Sequence, residues 1–378
     1  MRTRKILISF ALATCLVFLP TGCQKANNTT EDVQNSDIEE DTTITPPDSV
    51  ETIGISMPAQ HLERWVHDGA LLEESFKALG YDVEIAYGDN LIDTQINDIN
   101  QMIDNDVDLL IIAPVDSDSL SSCMERANEK NIPVLAYDRL ILHAPNLLAY
   151  VSYDNYEVGM LQAEFIIDSL NLETDKTMNY NIEIFAGDPA DNNALFFYQG
   201  AMDALSPFLE SGVLTVPSKQ SDFYSCSTSS WSTELAEERM QIILSSYYNS
   251  QKLHAVLSPN DSIALGVLYA VDDSYKRGNP IVITGQDCDS ANIDYIRSGK
   301  QSMSIYKDLN DEVEATTYIV QSYLDGISID SDLTTGNDFD FEIKRDTSSY
   351  SSDDVPITSY LLEPIVVTKD NLDEIIEE

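Results

Sequence analysis

The 378-residue chain is short of several things, and each shortage removes a class of protein. It carries only 21 Lys plus Arg against 65 Asp plus Glu, so nucleic acid and anionic membrane surfaces repel it. Of its five cysteines, those beyond residue 23 are Cys123, Cys226 and Cys288, an odd and widely spaced set. That is neither a disulfide framework nor a zinc knuckle. The four histidines, His61, His67, His143 and His254, lack metal-ligand spacing. There is no G-x-S-x-G elbow, no Walker A loop and no G-x-G-x-x-G. Asp308-Leu309-Asn310-Asp311 lacks the glycine and the terminal Glu of a calcium loop. No cofactor, no metal and no catalytic residue is therefore expected. No repeat of 20 to 50 residues is visible, which argues against a solenoid.

What is present begins with an address. Arg2, Arg4 and Lys5 precede a largely apolar run from Ile6 to Leu19, too short for a permanent membrane span but of signal-peptide length. Leu19-Pro20-Thr21-Gly22-Cys23 resembles a bacterial lipoprotein processing site, with Pro20 standing where Leu is usual. The expectation is a signal peptide over 1–22 and lipidation of Cys23; the alternative is a plain signal peptide with an incidental cysteine. Residues 23–50, rich in Asn, Thr, Asp and Glu, bury too little apolar surface to fold and read as a disordered tether. Without the three leader cations, 18 remain against 65 acids, a net charge of −47 that favours solubility and says nothing about a ligand.

From residue 51 onward, short β-branched runs alternate with stretches of helical period, the signature of βαβ units. Strands are expected at Thr52–Ser56, Val83–Tyr87, Leu109–Ala113, Val134–Tyr137 and Leu148–Tyr153. A second series has strands at Ile182–Ala186, Leu253–Leu257, Ile281–Thr284 and Ser302–Tyr306. The fold class is α/β: two doubly wound parallel-sheet lobes, for which 328 residues suffice. Ile327–Ser352 reads as a connecting loop and Tyr360–Thr368 as a late strand.

In open α/β sheets ligands bind beyond the carboxyl ends of the strands. There the sequence places His61, Arg64 and Trp65; Asp138 and Arg139; Asp188, Asp191, Asn192 and Asn193; Asn260 and Asp261; Asp287; and Lys307. Trp231 lies on a further loop, ahead of a helix starting near Ser232. Acids and amides that accept, with cations and amides that donate, suit the hydroxyl ring of a sugar, and the chain's two tryptophans suit its C–H faces. Duller readings attach to each residue: Asp188 and Asn260 as helix caps, Asp138-Arg139 as a surface pair, a lone Trp as core, Lys307 as a solvated turn. The Ser- and Thr-rich setting of Trp231 argues against its deep burial.

Several collinear stretches resemble one family. They are Glu63-Arg64-Trp65, Ala136-Tyr137-Asp138-Arg139, Ser152-Tyr153-Asp154-Asn155 with Val158-Gly159, Asp191-Asn192-Asn193-Ala194, Pro259-Asn260-Asp261, Gly285-Gln286-Asp287, Tyr306-Lys307 and Ser359-Tyr360-Leu361-Leu362 with Pro364. From about Ile53 to Leu372 the chain is similar to the periplasmic monosaccharide-binding proteins of ABC importers, in particular the xylose-binding and multiple-sugar-binding branch. The resemblance implies a periplasmic binding protein of type I, two lobes joined by a hinge. Arg64, Trp65, Asp138 and Arg139 would line the first lobe's side of the cleft. Asp191, Asn193, Trp231, Asn260, Asp287 and Lys307 would line the hinge and second lobe, with the sugar held between Trp65 and Trp231. It also implies crossover strands near Tyr150–Asp154, near Lys307 and after the long loop. The first lobe is then 51–152 plus about 308–335, and the second 153–307 plus about 336–378. His61 sits where related proteins vary, and Ser221–Ser230 is richer in Ser and Cys than the family pattern.

The implied function is an extracytoplasmic lipoprotein, anchored to the outer face of the cell membrane by lipid only, or periplasmic. As a monomer it would bind xylose or an aldohexose such as glucose or galactose and deliver it to an ABC permease. Presentation of the sugar to a chemoreceptor or sensor kinase is the alternative use. A glycoside hydrolase using paired carboxylates such as Asp191 and Asp287 is a further alternative, against which stand the cations and amides of the site. A sugar-responsive repressor would need a DNA-binding helix-turn-helix and a basic face, and neither is present.

Overall fold

A computed structural model describes residues 50–174, 178–328, 333 and 339–376. The expected signal peptide, Cys23 and the tether up to residue 49 lie outside the described residues. The chain runs β1 (Thr52–Met57), α1 (Glu63–Leu79), β2 (Asp82–Tyr87), α2 (Ile92–Asp104), β3 (Leu109–Ile112), α3 (Ser121–Glu129), β4 (Val134–Tyr137) and β5 (Leu147–Tyr153). It continues α4 (Asn155–Leu170), β6 (Tyr180–Ile184), α5 (Asn192–Ser211), β7 (Leu214–Thr215), α6 (Phe223–Cys226), α7 (Thr233–Tyr247), β8 (Ala255–Leu257), α8 (Asp261–Ser274), β9 (Val282–Ile283), α9 (Ile293–Ser298) and β10 (Ser304–Tyr306). It ends α10 (Leu309–Leu324), β11 (Ile343–Asp346), β12 (Ser351–Ser352), β13 (Val355–Pro356), β14 (Ser359–Leu362), β15 (Ile365–Val367) and α11 (Leu372–Ile375).

Seven strands form the first sheet in the order β11-β14-β5-β4-β3-β1-β2, all parallel except β11. Strands such as β3 and β4 are apolar and fully buried, because helices cover both faces of a parallel sheet. The second sheet is the parallel set β7-β6-β8-β9. A parallel bridge between Gln286 and Ile305 sets β10 beside the end of β9, and β15 pairs antiparallel with β10.

Three crossings join the lobes among the described residues. The chain leaves the first sheet after β5 for α4, whose Gln162 Nε2 donates to the second-lobe carbonyls of Pro259 and Gly285 at 3.1 and 3.0 Å. It returns after β10, since α10 packs Val313, Ile319 and Val320 into the first-lobe core. It crosses a third time between β14 and β15.

Three expectations are corrected here. Residues from about 336 onward do not go to the second lobe as a block, because β11 and β14 extend the first sheet and only β15 joins the second. Accordingly Ile327–Ser352 is not all loop, and Tyr360–Thr368 is two strands in two sheets.

Candidate functional site

The first-lobe face is built from charges that hold one another. Arg64 and Trp65 open α1 directly after β1, and Asp138 and Arg139 directly follow β4. Arg64 Nη1 lies 3.0 Å from Asp138 Oδ2, its Nε 3.2 Å from Asp68 Oδ2 and its Nη2 3.4 Å from Glu312 Oε2. Lys307, from the second crossing, reaches Asp138 Oδ2 at 3.3 Å, and Tyr137 donates its hydroxyl to Asp68 Oδ1. Burial works against Arg64's charge, but Asp138, Asp68, Glu312 and Asp287 outweigh it and hold its pKa well above the usual value. Burial likewise favours protonated Asp138, yet Arg64, Lys307 and Arg139 reverse this and keep its carboxyl below the usual range. Asp68 and Glu312, buried with fewer cations to themselves, are pushed upward, chiefly by desolvation.

Asp138 itself has φ 53°, a left-handed conformation uncommon for a non-glycine residue. Its N–H donates to Val151 O at 2.8 Å, and its carbonyl accepts from Tyr150 Oη (2.8 Å), Ser152 Oγ (2.9 Å) and Asn193 Nδ2 (2.7 Å). Four bonds to the backbone of one residue explain how the strained conformation is fixed.

The second-lobe face is built from helix starts. Asp191 caps α5, accepting from Asn193 N at 3.0 Å, and Asn260 caps α8, accepting from Ile263 N at 3.0 Å. For Asn260 the cap also fixes where the side chain stands, at the cleft wall. Asp287 follows β9 with φ 93° and its N–H donates to Ile305 O at 2.8 Å. Trp231 ends a 3-10 turn over Ser229–Trp231 in which Ser230 and Trp231 have φ 56° and 53°. Asp188 fixes that turn, accepting from Ser230 N at 2.6 Å, and does not itself line the cleft. Gly187 seats the indole: a Cβ there would stand 2.0 Å from Trp231 Cη2.

All ten residues singled out as ligand contacts converge on one cleft: Arg64, Trp65, Asp138, Arg139, Asp191, Asn193, Trp231, Asn260, Asp287 and Lys307. Across it Arg139 Nε lies 2.9 Å from Asp191 Oδ2, and Arg64 Nη1 3.7 Å from Asp287 Oδ1. Asp138-Arg139 is thus no surface pair, and Lys307, 3% exposed, no solvated turn. His61 is exposed and outside the lining, Asn192 offers only its backbone N–H to Ser117 Oγ (3.3 Å), and Asp261 is buried behind the wall, bonded to Gln301 and Ser304. Trp231 corrects the expectation of shallow placement. It is 5% exposed, because its ring packs on Gly187 and edge-on to Phe197 (centroids 6.2 Å apart). Both tryptophans also belong to lobe cores, so the core reading holds for part of each ring.

Five lining residues escaped sequence reading: Leu62, Phe197, Ser262, Gln286 and Asp289. Phe197 stands one helical turn after Asn193, and Gln286 precedes Asp287, so periodicity and adjacency were available signals. Leu62, Ser262 and Asp289 carry none. The indole N–H groups of Trp65 and Trp231 and the Oε1 of Gln286 are buried without a hydrogen-bond partner in the protein. Such groups are costly unless something pairs with them. The guanidiniums of Arg64 and Arg139 stand over the Trp65 ring at 4.5 and 5.0 Å from its centroid.

Residues 53–328 match the family of the periplasmic binding protein domain. The chain belongs to the periplasmic binding protein family. Its relatives include the multiple sugar-binding periplasmic receptor ChvE of Rhizobium radiobacter, 36% identical over 331 residues that cover 86% of this chain and 89% of that protein. The D-xylose-binding periplasmic protein of Escherichia coli is 32% identical over 320 residues, 85% of this chain and 87% of that one. Among solved structures, an ABC transporter solute binding protein from Clostridium phytofermentans with bound β-D-glucose superposes with a TM-score of 0.80 at 42% identity, covering 86% of this chain and 96% of that one. These relatives place this periplasmic binding protein in the sugar-binding branch of an extracytoplasmic family. Among the described residues no helix is long and apolar enough to cross a membrane, and no group of three His, Cys, Asp or Glu is arranged to hold a metal ion.

Proposed function

We propose that this protein binds a monosaccharide, xylose or an aldohexose such as glucose or galactose, in the interlobe cleft and delivers it to an ABC importer. The observation that carries the reading is the lining itself. Ten polar and aromatic residues from separate loops meet there, and the indole N–H groups of two of them, with the amide oxygen of Gln286 beside them, lack protein partners. A sugar hydroxyl both donates and accepts, so a ring of them satisfies such a mixed wall, whereas a purely anionic or cationic ligand would leave one set unpaired. The indoles offer apolar faces to the sugar's C–H groups, with Arg64 and Arg139 competing for the face of Trp65. The relatives named as sugar-binding proteins support the same class. Sugar contacts from both lobes exist only when the lobes meet, so the ligand shifts the population toward the closed form that a permease reads. The protein is a receptor and not an enzyme in this reading, held at the outer face of the membrane through lipidated Cys23.

Thermal-shift screening against xylose, glucose, galactose, arabinose and ribose tests the ligand class. One or more should raise the unfolding temperature in a concentration-dependent way. Absence of a shift with every monosaccharide would overturn the proposal.

A further inference from the structure

Among the described residues, two sets of hydrogen bonds away from the chain crossings join the lobes outside the cleft lining. On the first rim, Ser117 lies in the first-lobe loop between β3 and α3 and is 5% exposed. Its N–H donates to Ala190 O at 3.0 Å, and its Oγ accepts from Asn192 N at 3.3 Å, both at the start of second-lobe helix α5. On the second rim, Glu63, the first residue of α1, accepts at one oxygen, Oε2, from both Ser290 N (3.2 Å) and Ser290 Oγ (2.7 Å). None of Ser117, Ala190, Glu63 and Ser290 lines the sugar cleft. Each nonetheless neighbours residues that do. Asn192 stands between Asp191 and Asn193, Glu63 precedes Arg64, and the Ser117 loop is braced by Arg139 Nη1 donating to Pro114 O at 3.2 Å.

We infer that Ser117 and the Glu63–Ser290 pair are rim latches that set the closed-state population, and with it the affinity for every sugar by the same factor. The physical basis is that these bonds form only when the lobes meet, yet they touch no sugar. Removing one subtracts the same free energy from closure whichever ligand sits inside, and apparent affinity scales with the closed fraction. Cleft residues behave differently, since each hydroxyl pattern uses them unequally. The inference rests on the proposed sugar cleft, and its experiment separates the two.

Calorimetric titration of the full chain and of the Ser117→Ala and Ser290→Ala variants with xylose, glucose and galactose reads the effect. Ser290→Ala removes the hydroxyl bond to Glu63 and should lose roughly three- to tenfold in affinity; Ser117→Ala, which keeps the N–H bond to Ala190 and loses only the bond to Asn192, should lose less, and each loss should be equal for every sugar that the parent protein binds. Unchanged affinity in both variants, or a loss confined to one sugar, overturns the latch assignment. Small-angle scattering of the sugar-free protein provides the independent arm. If the parent binds no sugar, the function proposal has failed, and an unchanged radius of gyration in both variants then overturns the latches as well. Matching thermal unfolding of parent and variants shows that the substitutions left the fold intact.

Discussion

The two faces of the cleft solve the same problem by different means. The first lobe presents Arg64 and Asp138 from inside a buried charge cluster with Asp68, Glu312 and Lys307. The second lobe presents Asp191 and Asn260 as helix caps and Asp287 and Trp231 from left-handed backbone. On the first side a buried charge cluster adds to the backbone bonds that hold Asp138; on the second, helix caps and left-handed backbone do most of the fixing, with Arg139 reaching across to Asp191. The difference teaches that damage to the first face spreads through its neighbours, while damage to the second stays local.

The largest contrast is expected at Asp138. Asp138→Ala leaves Lys307 and Arg64 short of a buried anion, so urea unfolding should show a loss of about 3 to 5 kcal/mol in stability, with sugar binding nearly abolished. Next is Asp287→Ala. Its carboxylate is 3.7 Å from Arg64 with 12% side-chain exposure, so titration should show about 2 to 4 kcal/mol lost in binding with stability close to the parent's. Equal stability losses in both variants would erase the proposed asymmetry.

A steric variant comes third. Gly187→Ala forces the Trp231 ring from its seat, which should weaken binding by about 1 to 3 kcal/mol and alter tryptophan fluorescence. The smallest effect is one of pH. Asp289 of the second lobe is raised to about 7, first by burial, then by Asp287 and by Glu63 of the first lobe, with Ser262 and Arg64 opposing. A carboxyl raised in the folded, closed protein is favoured there in its protonated form. Its stabilising contribution is complete below the ordinary carboxyl pKa near 4 and is lost as pH rises through about 7. Sugar affinity should therefore fall modestly between pH 6 and pH 8, and Asp289→Asn should flatten that profile.

Much of this was legible in the sequence because parallel strands buried on both faces leave continuous apolar runs, and because the carboxyl-end rule converts such runs into a site. The residues at the ends of β4, β9 and β10 followed directly. What stayed hidden had physical reasons. Ile343-Lys344-Arg345-Asp346 is a sheet-edge strand with exposed cations in its middle, so it reads as loop. Segment 359–367 is split between two sheets at a crossing that hydrophobicity does not mark. Glu312 and Arg64 are 248 positions apart, and no local pattern announces a contact made only by the return of α10 to the first lobe.

The central claim is that one sugar draws both faces together. Small-angle scattering with and without the tightest-binding monosaccharide measures this directly. The account predicts a smaller radius of gyration on saturation and no compaction in the Asp138→Ala variant at the same sugar concentration. Saturable binding with an unchanged radius of gyration would contradict it.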